Sequence, residues 1–372
     1  MDLFLRRIRP VFFWTHLVSG VLASLIIAVM SATGIPLAYE GEFINAFDPA
    51  AGAGPRPSVD VWGQGASSIT FYRDAQRRPV VMKSGGQRFV VDDTGALEPA
   101  ARAFRFIHLM EDWHRWLGLE GEGRKVGRAL TGAANVIFLL LGLTGVVIWW
   151  PKKLKWPHFR AVLLFGRGLK GWRRDFNWHH VIGFWLAGVL VVVAATGVVI
   201  SYQWAQDLVA TSTGGKPTRG PPFPTPPVVD DAGPPLPFST LLERAAAEVP
   251  NWDMMMLQVE MRGPPVPEGK RRAIAFNILE EGRAVPFARH LLALHPYTGE
   301  TLSHVDFESA SPTLRARMVL RFLHTGEIFG PAGQLIAVLA CVGSLVLTWT
   351  GLTLSWHRFF GARRTRAARD EA

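Results

Sequence analysis

Cysteine is almost absent from this chain, which has one, Cys341. That count excludes a disulfide framework, and it excludes a zinc or iron–sulfur site built from the cysteines of one chain. The fingerprints of common soluble enzymes are missing too. There is no P-loop, nucleophile elbow or HExxH pair, and Gly121-Glu-Gly-Arg-Lys-Val-Gly misplaces the third glycine of a dinucleotide-binding turn. Charge is scarce at 19% of residues, and four stretches carry none: Leu17–Ala38, Ala129–Trp150, Val181–Gln203 and Pro331–Trp356. At 1.5 Å per residue each can cross a hydrocarbon layer of roughly 30 Å. Four such runs among 372 residues, 49% of them hydrophobic, exclude a soluble chain and place it in the lipid bilayer. The first run is too long for a cleaved signal peptide and lacks a small-residue cleavage site.

The basic residues are concentrated at three places: Arg6, Arg7 and Arg9; the loop from Lys152 to Arg174; and the tail from Arg358 to Arg369. Lysine and arginine near span ends face the cytoplasm, so both termini are expected inside and two longer connections outside. The formal charge of +10 then records topology, with no nucleic-acid partner. The expected order is a stub (1–10), a span (11–38), an outward module (39–128), a span (129–150), a basic loop (151–177), a span (178–203), a Pro-rich linker (204–237), a second outward module (238–330), a span (331–356) and a basic tail (357–372). The first module reads as strands at Ser68–Tyr72, Pro79–Lys83 and Gln87–Val91, then a helix over 100–117. The second reads as a helix capped by Ser239, strands at Met254–Met261, Arg272–Leu279 and Ala288–Ala293, and a helix over 312–324. The basic loop is too short for a flavin or nicotinamide domain.

The two halves repeat. His16 and Gly20 share the spacing of His179 and Gly183, and both histidines precede a Thr-Gly pair by 17 residues, at Thr33-Gly34 and Thr196-Gly197 (33−16 and 196−179). Thr144-Gly145 and Thr350-Gly351 match in the other two spans. The chain therefore reads as a mainly α integral membrane protein, a four-helix bundle from a duplicated two-span unit with small α+β modules outside. A histidine one turn inside a span is costly unless it is paired or ligated. Two at equal depth suit the two axial positions of one haem b, and Gly20 and Gly183 leave room for a flat macrocycle. His180 and His357 are secondary candidates. On the outer side His114 and His324 pair by the same symmetry, with His108 a spare, and Arg105, Arg115, Arg317 and Arg321 are candidates for propionates. The Thr-Gly pairs read as sites of close helix packing. Met254-Met255-Met256 reads as a strand alternating its faces. His290, His295 and His304 show no ligand spacing and read as surface residues.

Thr15-His-Leu-Val-Ser-Gly, Trp113-His-Arg-Trp-Leu, Trp178-His-His-Val-Ile-Gly, His295-Pro-Tyr-Thr-Gly-Glu, Leu323-His-Thr-Gly-Glu-Ile-Phe-Gly and the Thr-Gly span ends, in this order, resemble the PepSY-associated transmembrane family. The resemblance implies PepSY-like periplasmic modules, a bacterial inner membrane and reduction of ferric siderophores on the periplasmic side. One or two haems on His16, His179, His114 and His324 would then carry electrons from a quinol or a separate reductase. Two rival readings are a membrane-anchored PepSY module that binds a partner without haem, and a transporter. The second would need charged or broken spans, which are lacking.

Overall fold

The structure, a computed structural model, describes residues 2–47, 65–74, 77–83, 87–91, 95–99, 102–149, 156–217, 225–259, 265–283 and 285–361. The Gly/Pro/Ala linker at 48–57, the turns at 84–86 and 92–94, the Trp150-Pro151 span end, the lysines at 152–155, the prolines within 218–224 and the tail beyond 361 lie outside the described residues. In chain order the elements are α1 (Asp2–Leu37), α2 (Glu40–Phe47), β1 (Ala66–Tyr72), β2 (Val80–Lys83), β3 (Arg88–Val91), β4 (Leu97–Pro99), α3 (Arg102–Trp116), α4 (Gly123–Trp149), α5 (Trp156–Leu163), α6 (Gly171–Ser201), α7 (Gln203–Ser212), β5 (Val228–Asp230), α8 (Phe238–Glu248), β6 (Trp252–Gln258), β7 (Lys270–Arg272), β8 (Ile274–Glu280), β9 (Arg289–Leu294), β10 (Thr301–Val305), α9 (Pro312–Thr325) and α10 (Gly330–Trp356).

These form two units. A helical bundle takes residues 1–40, 107–205 and 323–372, and a sheet unit takes 41–106 and 206–322. Among the described residues, four helices of the bundle are long and apolar enough to cross a membrane: α1, α4, α6 and α10. Each of α1 and α6 packs against both α4 and α10, so the four close into a ring with α1 and α6 on its diagonal. Leu22 and Leu25, each 75% exposed, point away from the ring, as lipid-facing residues do. Small residues, Ala23, Ala134, Ala194 and Ala340, fill the contacts. Buried polar groups find partners inside: Ser31 Oγ donates to Ser344 Oγ (2.9 Å), Gln334 Nε2 to the Ala38 carbonyl (2.9 Å) and Asn135 Nδ2 to the Ala194 carbonyl (3.1 Å).

The sheet unit departs from the expectation of two separate modules. Strands from both connections form one antiparallel eight-stranded sheet, in the order β10-β9-β8-β6-β1-β2-β3-β4. The join is β1 against β6, with Phe71 opposite Met255. The physical reason is edge pairing: four strands alone would leave β1 with unmet N–H and C=O groups, and β6 supplies them. One core serves the whole sheet. Ile69, Phe71, Met255, Leu257, Phe276 and Leu292 are buried on the face that also holds Leu241 and Ala245 of α8. On the other face Leu314 and Met318 of α9 pack near Leu291 and Val305. The His-bearing stretches 107–116 and 323–325 cluster with the bundle. The linker also yields ordered structure, with α7 at its start and β5 paired to β7. Helix α8 begins at Phe238 with Pro237 in the capping position, so Ser239 lies inside the first turn and is not the cap.

Candidate functional site

Two histidine pairs stand within the bundle. His16 of α1 faces His179 of α6 across the ring diagonal, with ring centroids 6.3 Å apart and planes at 85°. His114 of α3 faces His324 of α9, with centroids 6.5 Å apart and planes at 69°. An iron bound by two imidazole nitrogens at about 2.0 Å each would separate the ring centroids by roughly 6.3 Å. Both pairs have that spacing.

The Thr-Gly pairs do more than pack helices. Each imidazole Nδ1 lies beside one threonine hydroxyl: His16 with Thr144 (3.0 Å), His179 with Thr350 (2.9 Å), His114 with Thr33 (3.1 Å) and His324 with Thr196 (3.1 Å). Each hydroxyl donates its own proton to the helix carbonyl four residues earlier, at Leu140, Val346, Val29 and Val192. Its lone pair therefore accepts, and Nδ1–H donates. The Val193 carbonyl, 2.9 Å from His324 Nδ1, can only accept and requires the same assignment. Nε2 is then the unprotonated nitrogen with a lone pair for a metal. The adjacent glycines let this happen. A Cβ at Gly34, Gly145, Gly197 or Gly351 would sit 3.1 to 3.5 Å from the imidazole Cε1 of its histidine. Burial pushes the His114 imidazole pKa down to about 4, with His324 adding to the shift, so the ring is neutral as a ligand should be.

Two tight elbows bring the second pair into place. Leu117 and Gly118 turn the chain with positive φ (54° and 70°) between α3 and α4. Gly127 then lies so close to the Trp116 carbonyl that a Cβ would overlap it. Gly333, beside the Gly326 carbonyl, is the same device between α9 and α10. Without side chains at these points each short helix folds back on the span that follows it.

A cavity of about 680 Å³ surrounds the first pair. His16, His179, Gly20, Gly145, Gly183 and Gly351 line it, and its walls are otherwise largely apolar. The volume is in the range of cofactor sites. Arg358 is its one lysine or arginine among the described residues, missed in the sequence because it looked like part of a basic tail. Its guanidinium stands 6.0 Å from the Phe13 and Trp14 rings.

The secondary candidates join neither histidine pair. His180 lines the cavity but turns back on its own helix, donating from Nδ1 to the Phe176 carbonyl (2.9 Å) with its ring on the Phe176 ring. His357 lines the cavity from an exposed turn past α10. His108 pairs with Glu111 (3.4 Å). Arg115 is held by Glu111 (2.7 Å) and by the Trp116 ring. Arg105, Arg317 and Arg321 belong to the sheet unit. Arg317 Nε and Nη2 are buried with no hydrogen-bond partner among the described residues.

The model of one protein family, described as PepSY-associated TM region, matches residues 13–358. No curated protein sequence matches the chain.

Proposed function

The chain belongs to the PepSY-associated TM family, and from that premise we propose that it is a haem-bearing electron-transfer protein of the bacterial inner membrane. The observation that carries the reading is the pair of facing histidines at iron-ligand spacing, found twice with the same threonine behind every ring. His16 and His179 would hold one haem b, and His114 and His324 a second. Bound there, haem would supply reversible one-electron transfer at a six-coordinate iron.

The chain's own work is positioning and exclusion. Threonines lock four imidazoles in one tautomer, so little rearrangement accompanies a change of charge at the site. Glycines clear a flat space beside His16 and His179. Arg358 offers a cation at that level for a propionate. Along α1 the two levels are marked by His16 and by Thr33, which holds His114. Those 17 residues (33−16) span about 26 Å of helix rise. Ile27, Ser31 and Ser344 occupy the stretch between.

The substrate we favour is a ferric siderophore or similar chelate on the periplasmic side. Chelate oxygens hold hard Fe³⁺ far more tightly than Fe²⁺, so one electron releases the metal. The joint sheet fits this topology, since strands from both long connections pair within it. The basic ends then face the cytoplasm, with a quinol or a separate reductase as donor.

The test is an optical spectrum of the purified protein, oxidised and dithionite-reduced, with a pyridine haemochrome count. Two haems per chain with a sharp reduced α-band are expected. One haem would remove one of the two pairs from the scheme. No Soret band after expression with ample haem would overturn the reading and leave a partner-binding membrane module.

A further inference from the structure

Three titratable side chains that the sequence leaves on separate strands meet on the sheet unit. His304 of β10 lies opposite Leu292 of β9, and His290 of β9 lies opposite Ile278 of β8. Alternation along each strand then puts Glu280, His290 and His304 on one face, running diagonally across three neighbouring strands. His290 Nδ1 is 3.1 Å from His304 Nε2. On the other side of the His290 ring, Nε2 is 3.6 Å from Glu280 Oε2.

We propose that His290 and His304 form a chelate for a borderline divalent transition metal such as Cu²⁺, Ni²⁺ or Zn²⁺, on the sheet unit and independent of the bundle's histidine pairs. Two nitrogens bound side by side at 2.0–2.1 Å stand roughly 2.9–3.4 Å apart, for angles from square to tetrahedral. The observed 3.1 Å lies inside that range. One ion on His290 Nδ1 and His304 Nε2 leaves the proton of His290 on Nε2, the nitrogen that faces Glu280. A carboxylate behind a metal-bound imidazole fixes its tautomer and raises its basicity. His290 Nε2 is buried and, among the described residues, has no partner within hydrogen-bond distance.

The charges around the pair suit a cation. Asp306 follows β10, two residues past His304. Arg283 opposes this by pairing with Glu280 (3.2 Å) and Glu308 (3.7 Å). His304 is exposed, so an ion can enter from solvent and keep water on its remaining positions. Imidazole donors without thiolate favour copper over nickel and zinc by the ordinary affinity order, and exclude calcium and magnesium as good occupants. His295 is not part of the group: its Nδ1 accepts from the Tyr297 and Thr298 amides and closes a turn.

The experiment is Cu²⁺ titration of the detergent-solubilised full chain, followed by electron paramagnetic resonance and by calorimetry, with haem content recorded in parallel. Wild type is expected to bind one Cu²⁺ with nitrogen hyperfine structure from two imidazoles. His304→Gln, at an exposed position, should lose that signal while haem content stays unchanged. Glu280→Gln should retain the signal with affinity lowered about 10- to 100-fold. Equal Cu²⁺ binding by wild type and His304→Gln, or none by wild type, would overturn the proposal. Because haem content is read separately, failure here and failure of the haem reading are distinguishable.

Discussion

At the scale of single residues, the four threonines carry more of the site than their chemistry suggests. A threonine in a span usually bonds back to its own helix and has no other duty. Here that back-bond removes the hydroxyl proton and turns the oxygen into an obligate acceptor for a histidine on another helix. Thr350→Val keeps the shape and deletes the acceptor. It is expected to weaken haem retention about 10- to 100-fold, measured by transfer to excess apomyoglobin. A threonine that only packed would leave retention unchanged. The ring planes make a second prediction. Imidazoles crossed at 85° should give the ferric His16–His179 centre a strongly anisotropic low-spin resonance signal in place of the rhombic signal of parallel rings. That His16 and His179 would face each other was legible in the sequence because the same His-Gly and His-Thr-Gly spacings recur in both spans, and equal spacings survive translation into helices. The threonine roles were not legible. Each depends on which neighbouring helix lies alongside, and one-dimensional spacing carries nothing of that.

At the scale of elements, α9 and β8 were readable from apolar runs and turn residues to within a residue or two, whereas α2 and α7 were not. What the sequence could not show is the elbow between each short helix and its span. Gly127 and Gly333 look like ordinary helix glycines until the carbonyl of the preceding helix is seen against them. Gly333→Ala is expected to push α9 away from α10 and misalign His324, at a cost of about 1–3 kcal/mol in stability. The pyridine haemochrome count should fall from two towards one, with the His16–His179 spectrum retained. Loss of both haems together would mean that the elbows hold the whole bundle and not one pair.

At the scale of the whole chain, the merged sheet is the feature that sequence reading could not reach. Strand runs were visible on each connection, but pairing between β1 and β6 is a contact between distant segments and leaves no local mark. Ile69 of β1 is fully buried in the common core. Ile69→Ala should cost about 2–4 kcal/mol. Hydrogen exchange should then speed up not only in β1 but also in β6 and β8, which come from the other connection. Separate modules would confine the change to the first.

The same pairing sets the timing of synthesis. Phe71 waits for Met255, 184 residues later (255−71), and two spans are made in between. Until then β1 is an open edge, the most aggregation-prone kind of surface a nascent chain can carry. If a span is skipped or inverted, the two strands emerge on opposite faces of the membrane and never meet. Closure of the sheet therefore requires β1 and β6 to reach the same side of the bilayer.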